Sequence, residues 1–103
     1  MQDPAGEAET LVYLGRIAVE DGDPGRALGY FDQAMSLAKQ TDQLNTEADA
    51  LDGIARCHEL SGDRETALNH LRRAAALYRR TGTSAPADAE ERLIALGGED
   101  ALP

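Results

Sequence analysis

The sequence predicts an all-α fold, a right-handed α-solenoid of antiparallel helix pairs with about five helices. Three observations predict it. Strand formers are sparse: Val12, Ile17, Val19, Ile54 and Ile94 are scattered, while Ala and Leu supply most of the apolar mass. Apolar residues recur at steps of three and four, the helical period. The chain also repeats itself, because Gly22-Asp23-Pro24-Gly25-Arg26-Ala27-Leu28 aligns with Gly62-Asp63-Arg64-Glu65-Thr66-Ala67-Leu68 at an offset of 40.

The same offset pairs Leu11 with Leu51, Leu14 with Ile54, Arg16 with Arg56, Phe31 with Leu71, Ala34 with Ala74, Leu37 with Leu77 and Thr41 with Thr81. Residues 1–6 read as a disordered tail. A first helix is expected over 7–21, with Ala8, Leu11, Leu14 and Ala18 on its inner face. Gly22 suits a left-handed cap and Asp23 the N-cap of the next helix. Pro24 fits the first turn of that helix, where its missing N–H costs nothing. The second helix runs to Thr41 and buries Ala27, Leu28, Phe31, Ala34, Met35 and Leu37, completing a repeat over 7–41. A second repeat spans 45–81, with helices from Asn45 to Ser61 and from Arg64 to Thr81. A closing helix, opened by Pro86 and carrying Leu93, Ile94 and Leu96, is expected over 86–97, and residues 98–103 read as frayed. Small residues at the crossings (Gly15, Ala27, Ala34, Ala55, Ala67, Ala74) allow close backbone approach. One helix pair cannot bury its own apolar face, so pairs must stack. Two and a half units lie near the lower limit for stability, as in a piece of a longer array or one completed by a partner.

Charge and composition exclude several function classes. The 103 residues carry 19 acids and 10 bases, a net charge of −9 that repels phosphate backbones and argues against direct nucleic-acid binding. Residues 1–50 hold 10 of the acids and 3 of the bases. Cys57 is the single cysteine, so no internal disulfide forms. No apolar run approaches the length of a membrane span, and Met1-Gln2-Asp3-Pro4 lacks the basic and apolar parts of a signal peptide. A cytoplasmic protein without membrane contact is expected.

The order apolar–small (Leu14-Gly15, Ile54-Ala55), then Gly-Asp, then Ala-Leu, an apolar residue three further on and Ala three after that, resembles the tetratricopeptide repeat over roughly residues 8–97. The common repeat has about 34 residues, so helices in this 40-residue unit are extended. Ala50-Leu51-Asp52-Gly53-Ile54-Ala55-Arg56-Cys57-His58, with Gly62-Asp63 and Ala74-Ala75-Ala76-Leu77-Tyr78-Arg79-Arg80-Thr81-Gly82, resembles the C-terminal repeat region of actinobacterial antibiotic-regulatory transcriptional activators. Those proteins couple a winged-helix DNA-binding domain and a nucleotide-binding ATPase domain to such repeats. Neither domain is present in these 103 residues.

The resemblance implies that the first helix of each pair lines a concave face that binds a protein or peptide partner, or another domain of the parent protein. Carried over by position, that face comprises Glu9, Val12, Arg16 and Val19, then Asp49, Asp52, Arg56 and Glu59, then Arg92. These positions lie off the expected core spacing, so exposure is expected. Arg16, Arg56 and Arg92 would grip a carboxylate or polar backbone, or else pair with Glu20, Asp49 or Asp52. The face lacks the Lys/Asn pattern of chaperone-binding repeats, which argues against a chaperone tail as ligand. Arg72, Arg73, Arg79 and Arg80 form a basic cluster that reads either as a solvated face or as a docking patch for an acidic partner. Cys57 and His58 are adjacent but point about 100° apart on a helix, so they read as packing residues rather than a nucleophile–base pair. His58 holds a slot where the resembled repeats often place Tyr. With only His70 in addition, no metal set forms. Gly22-Asp23-Pro24-Gly25 is a turn, since no Lys follows it as in a phosphate loop. No enzyme activity and no cofactor are expected. Homodimerisation through the apolar array ends is the alternative to partner binding.

Overall fold

The computed structural model describes residues 3–97. Among them are five helices: α1 (Pro4–Glu20), α2 (Pro24–Gln40), α3 (Leu44–Leu60), α4 (Arg64–Thr81) and α5 (Ala89–Ala95). The first four begin 20 residues apart, at 4, 24, 44 and 64. The residues in left-handed conformation that end them keep the same step: Gly22 (φ 75°), Asp42 (φ 55°), Gly62 (φ 81°) and Gly82 (φ 74°). The 40-residue repeat is therefore two 20-residue halves, each a helix and a three-residue turn.

Local chemistry explains the boundaries. Asp23 and Asp63 cap α2 and α4 by accepting from the Arg26 N–H (3.1 Å) and the Thr66 N–H (3.3 Å). Asp3 does the same for α1, accepting from the Ala5 N–H at 3.2 Å with Pro4 in the first turn. The expected tail over 1–6 is thus helical from Pro4. The sequence signal was available, since Asp3-Pro4 repeats Asp23-Pro24 at the 20-residue step. The expected frayed residues 98–103 lie outside the described residues.

The fifth helix starts later than expected, at Ala89 instead of Pro86. Its 20-residue slot would begin at 84, and the restriction that Pro86 places on Ala85 bars a start there, but nothing in the structure explains why Pro86 does not open it as Pro4 and Pro24 open α1 and α2. Residues 83–86 run without helix or turn, and Asp88 becomes the N-cap position.

Asp42 is, among the described residues, the one non-glycine with positive φ. A left-handed non-glycine is strained by about 1–2 kcal/mol, less for Asp, while glycine costs more chain entropy on folding. Asp42→Gly is expected to raise stability by about 0.5 kcal/mol, read as a Tm increase of a few degrees.

Helices α1–α2 and α3–α4 pack as pairs, and α2 and α1 both lie against α3. The stack is an elongated slab of 45 × 31 × 19 Å, an α-solenoid. Ala27, Ala34, Ala55, Ala67 and Ala74 are all fully buried at the crossings, as the sequence predicts. The centre of the first repeat is Phe31 on α2, packed among Val12, Ala18, Ala50, Ile54 and Cys57. Its ring sits in a slot between Gly15 of α1 and Gly53 of α3. A Cβ on Gly15 would meet the ring at 2.6 Å, and one on Gly53 would meet it closer still.

These contacts rotate the inner face of α1. Its buried residues are Ala8, Val12, Gly15 and Ala18, while Leu11 and Leu14 are half-buried. Two glycines meet different fates on mutation. Gly53→Ala gains helix propensity of about 1 kcal/mol but overpacks at about 1–3 kcal/mol, a net loss on the order of 1 kcal/mol. Gly29, with nothing within 4 Å of an added Cβ, should gain about 0.5–1 kcal/mol on conversion to Ala. Paired urea titrations should show the two shifts in opposite directions.

Candidate functional site

The first helices of the pairs, α1 and α3, and the segment leading into α5 enclose a groove. Its cavity of about 370 Å³ is lined by Arg16, Val19 and Glu20 of α1, Phe31 of α2, Asp52, Gly53 and Arg56 of α3, and Pro86. Four of the nine residues expected on this face, Arg16, Val19, Asp52 and Arg56, meet here. Phe31, Gly53 and Pro86 were not anticipated as lining. The Gly-for-side-chain exchange that opens the slot for Phe31 is visible in the sequence only as two glycines inside helical patterns.

The other expected site residues lie elsewhere. Val12 is 4% exposed and belongs to the core, not to a solvent-facing surface. It shares the Ala8–Gly15–Ala18 stripe that α2 and α3 cover. Glu9 is exposed but lines a separate depression near the start of α3, with Asn45 and Thr46. Asp49 is half-buried and accepts a hydrogen bond from the Tyr78 hydroxyl (2.5 Å) while Arg16 stands 3.7 Å away. Burial, then the Asp49 carboxylate, pushes the Tyr78 phenol well above its usual range.

Asp52 and Arg92 are not exposed. They are 4% and 9% accessible and form the centre of an ionic ring. Arg92 donates from Nη1 to Asp52 and from Nε and Nη2 to Glu59. Asp52 accepts from Arg56 Nε at 3.2 Å, and Arg56 Nη2 donates to both oxygens of Asp88, at 3.0 and 3.2 Å. Arg92 closes the ring, 3.7 Å from Asp88. The physical reason for the burial is α5, whose start lies against α3 and brings Asp88 and Arg92 onto Asp52, Arg56 and Glu59. Burial works against the Arg92 charge, but the Glu59 and Asp52 carboxylates outweigh it and raise its pKa. For Asp88, burial raises the pKa while the Arg56 hydrogen bonds and the Arg56 and Arg92 charges lower it, and the net direction is down. The expected grip of three arginines therefore reduces to one. Arg56 and Arg92 are held by the chain's own acids, and Arg16 has a single long contact.

Cys57 and His58 face different neighbours. Cys57 lies in the Phe31 cluster, where burial, with the Asp32 charge, pushes its thiol up to about 11. It is protonated near neutral pH and a poor nucleophile. His58 stacks on His70 of α4, with ring centroids 5.7 Å apart. Among the described residues no group of three or more His, Cys, Asp or Glu is placed to hold a metal ion. Nor is any helix of the described residues long and apolar enough to cross a membrane. In the basic cluster, Arg73, Arg79 and Arg80 are exposed on α4, while Arg72 is half-buried and engaged within the molecule.

A tetratricopeptide-repeat family profile matches residues 6–80. The chain belongs to the tetratricopeptide-repeat family. The crystal structure of the tetratricopeptide-repeat domain of Arabidopsis FLU is similar in fold, with a TM-score of 0.84 over 96% of this chain and 87% of that one, at 16% identity. A search of curated proteins finds no match. Tetratricopeptide repeats typically act as non-catalytic scaffolds that bind protein partners, and the groove of this repeat lies where its first helices converge.

Proposed function

We propose that this tetratricopeptide-repeat chain holds a segment of another polypeptide in the groove between α1, α3 and the segment before α5. The observation that supports this most is the cavity itself, which combines an apolar floor (Val19, the Phe31 ring, Gly53, Pro86) with Arg16 at its rim. Arg16 is the rim cation with the least internal engagement, a 3.7 Å contact to Asp49 and a side chain 54% exposed. The partner side chain that fits is apolar with a carboxylate nearby. A random-peptide display library selected on the immobilised chain tests this. Enriched peptides should lose most of their affinity for Arg16→Glu. Enrichment of peptides that bind Arg16→Glu as well as the unmodified chain, or no enrichment, sinks the reading.

The finer reading is that the module is the cytoplasmic sensor or regulatory arm of a larger transcriptional regulator. It rests on the resemblance of Ala50–His58 and Ala74–Gly82 to the repeat region of actinobacterial antibiotic-regulatory activators. Deleting residues 7–97 from the gene product that contains them should then alter its promoter output. Unchanged output would remove the regulatory role.

Self-association through the array ends is the second reading. Tyr13 on α1 (64% exposed), Leu60 (58%) and Ile94 (48%) are large apolar side chains in water. Leu93 of the closing helix is already covered by Ala55 and Leu71. Sedimentation that shows only monomer at high concentration rules this reading out.

A further inference from the structure

We infer that the outer face of α4 is a second interaction surface, separate from the groove, that docks a short acidic helix of a partner protein. The case begins with charge segregation. Residues 66–87 contain four arginines and no Asp or Glu, in a chain with 19 acids. Elsewhere among the described residues each arginine has a named acceptor: Arg16 on Asp49, Arg26 on Asp21 and Asp23, Arg56 on Asp52 and Asp88, Arg64 on the Ala95 carbonyl, Arg92 on Asp52 and Glu59. Arg73, Arg79 and Arg80 are exposed and, among the described residues, no carboxylate lies within ion-pair distance of them.

Placement near a helix C-terminus favours cations by about 0.3–1 kcal/mol each. That accounts for Arg79 and Arg80 but not for Arg73 or for the missing acids. A glutamate at Asn69 would pair with Arg73, and one at Ala76 would pair with Arg80, both at the favourable four-residue step. The chain has neither. Asn69, Arg73, Ala76 and Arg80 share one exposed stripe, with the two arginines about 10 Å apart along the axis and a small residue between them. A helix with carboxylates at matching two-turn spacing can lie there with its backbone close to Ala76.

The boundaries of the stripe choose the occupant. Exposed Glu65 closes one end. Glu90 stands beside the stripe, where it lines a cavity with Ala75, Tyr78 and Arg79 on the neighbouring side of α4. Screening acts over only about 8 Å at physiological salt, so a long polyanion leaving the stripe meets like charge at Glu65 along its axis and at Glu90 on its flank. A short acidic helix does not.

The test uses the full chain and a capped, alanine-based helical peptide with glutamates at i, i+3 and i+7, alongside its glutamine counterpart and a short DNA duplex. The glutamate peptide should bind, and the glutamine peptide should not. Arg73→Glu/Arg80→Glu should weaken binding at least about tenfold, as should the neutral pair Arg73→Gln/Arg80→Gln, with helicity intact by circular dichroism. Arg26→Gln should leave binding unchanged. Absence of peptide binding, binding indifferent to both double variants, tighter binding of the duplex, or self-association that competes through the same arginines would each overturn the proposal. None of these outcomes depends on Arg16 or the groove.

Discussion

Truncating Phe31 to alanine is expected to remove about 3–5 kcal/mol of stability, against the roughly 5–15 kcal/mol that a domain holds in all. The ring is 1% exposed and touches three helices through a slot that two glycines create. Neither Gly15 nor Gly53 carries side-chain atoms that can relax into the space left behind, so the cavity stays open and would join the groove beside it. Equilibrium urea unfolding should show a lower midpoint at an unchanged slope. Phe31→Leu, which refills part of the slot, should lose clearly less. Equal losses for the two variants would mean that the slot does not recognise the ring.

The second large effect is expected at Arg92. Its guanidinium meets Asp52, Glu59 and Asp88, and Arg92→Ala would leave Asp52 and Asp88 to share Arg56 and Glu59 without its partner. Breaking a buried pair costs about 3–5 kcal/mol when the remaining charge cannot escape. Here it can, because α5 is seven residues long and has few contacts with α4. The cost is therefore capped at the free energy that docks α5. Hydrogen exchange should show α5 unprotected while α1–α4 keep their protection. Uniform loss of protection across all five helices would contradict this account.

The same ring predicts an acid response. The Asp88 pKa is lowered in the folded state, so the carboxylate contributes stability that is present above its unfolded value near pH 4 and is lost as the pH falls through the folded value. Detachment of α5 is expected below about pH 4, ahead of the rest, and Asp88→Asn should abolish that early step. An α5 signal that stays constant until global unfolding would exclude it.

Particular residues show how far the sequence reaches. The repeat, the turns at Gly22 and Gly62, the caps at Asp23 and Asp63 and the small residues at the crossings were all readable. Each is a local rule, in which a residue type answers to the backbone within a few positions of it. The start of α5 was not readable in this way, since the sequence places it at Pro86, as Pro24 opens α2, and the helix begins at Ala89. The start of α1 at Pro4 was carried by the repeated Asp-Pro pair. The site was less legible. Val12, Asp52 and Arg92 occupy positions that helical spacing alone assigns to the outer surface, yet all three are buried.

What the sequence by itself determined is the alternation of helix and turn within a 40-residue repeat and the membership of a repeat family, because those depend on short-range periodicity. What only the tertiary structure decided is which charges remain available in the groove. Asp88 and Arg92 reach Asp52, Arg56 and Glu59 across 32 to 40 positions of chain, a pairing no local pattern encodes. It is set by where the last helix starts and how the Asp88 and Arg92 side chains then reach α3. Of three arginines that look equivalent along the sequence, packing leaves Arg16 the most open to a partner.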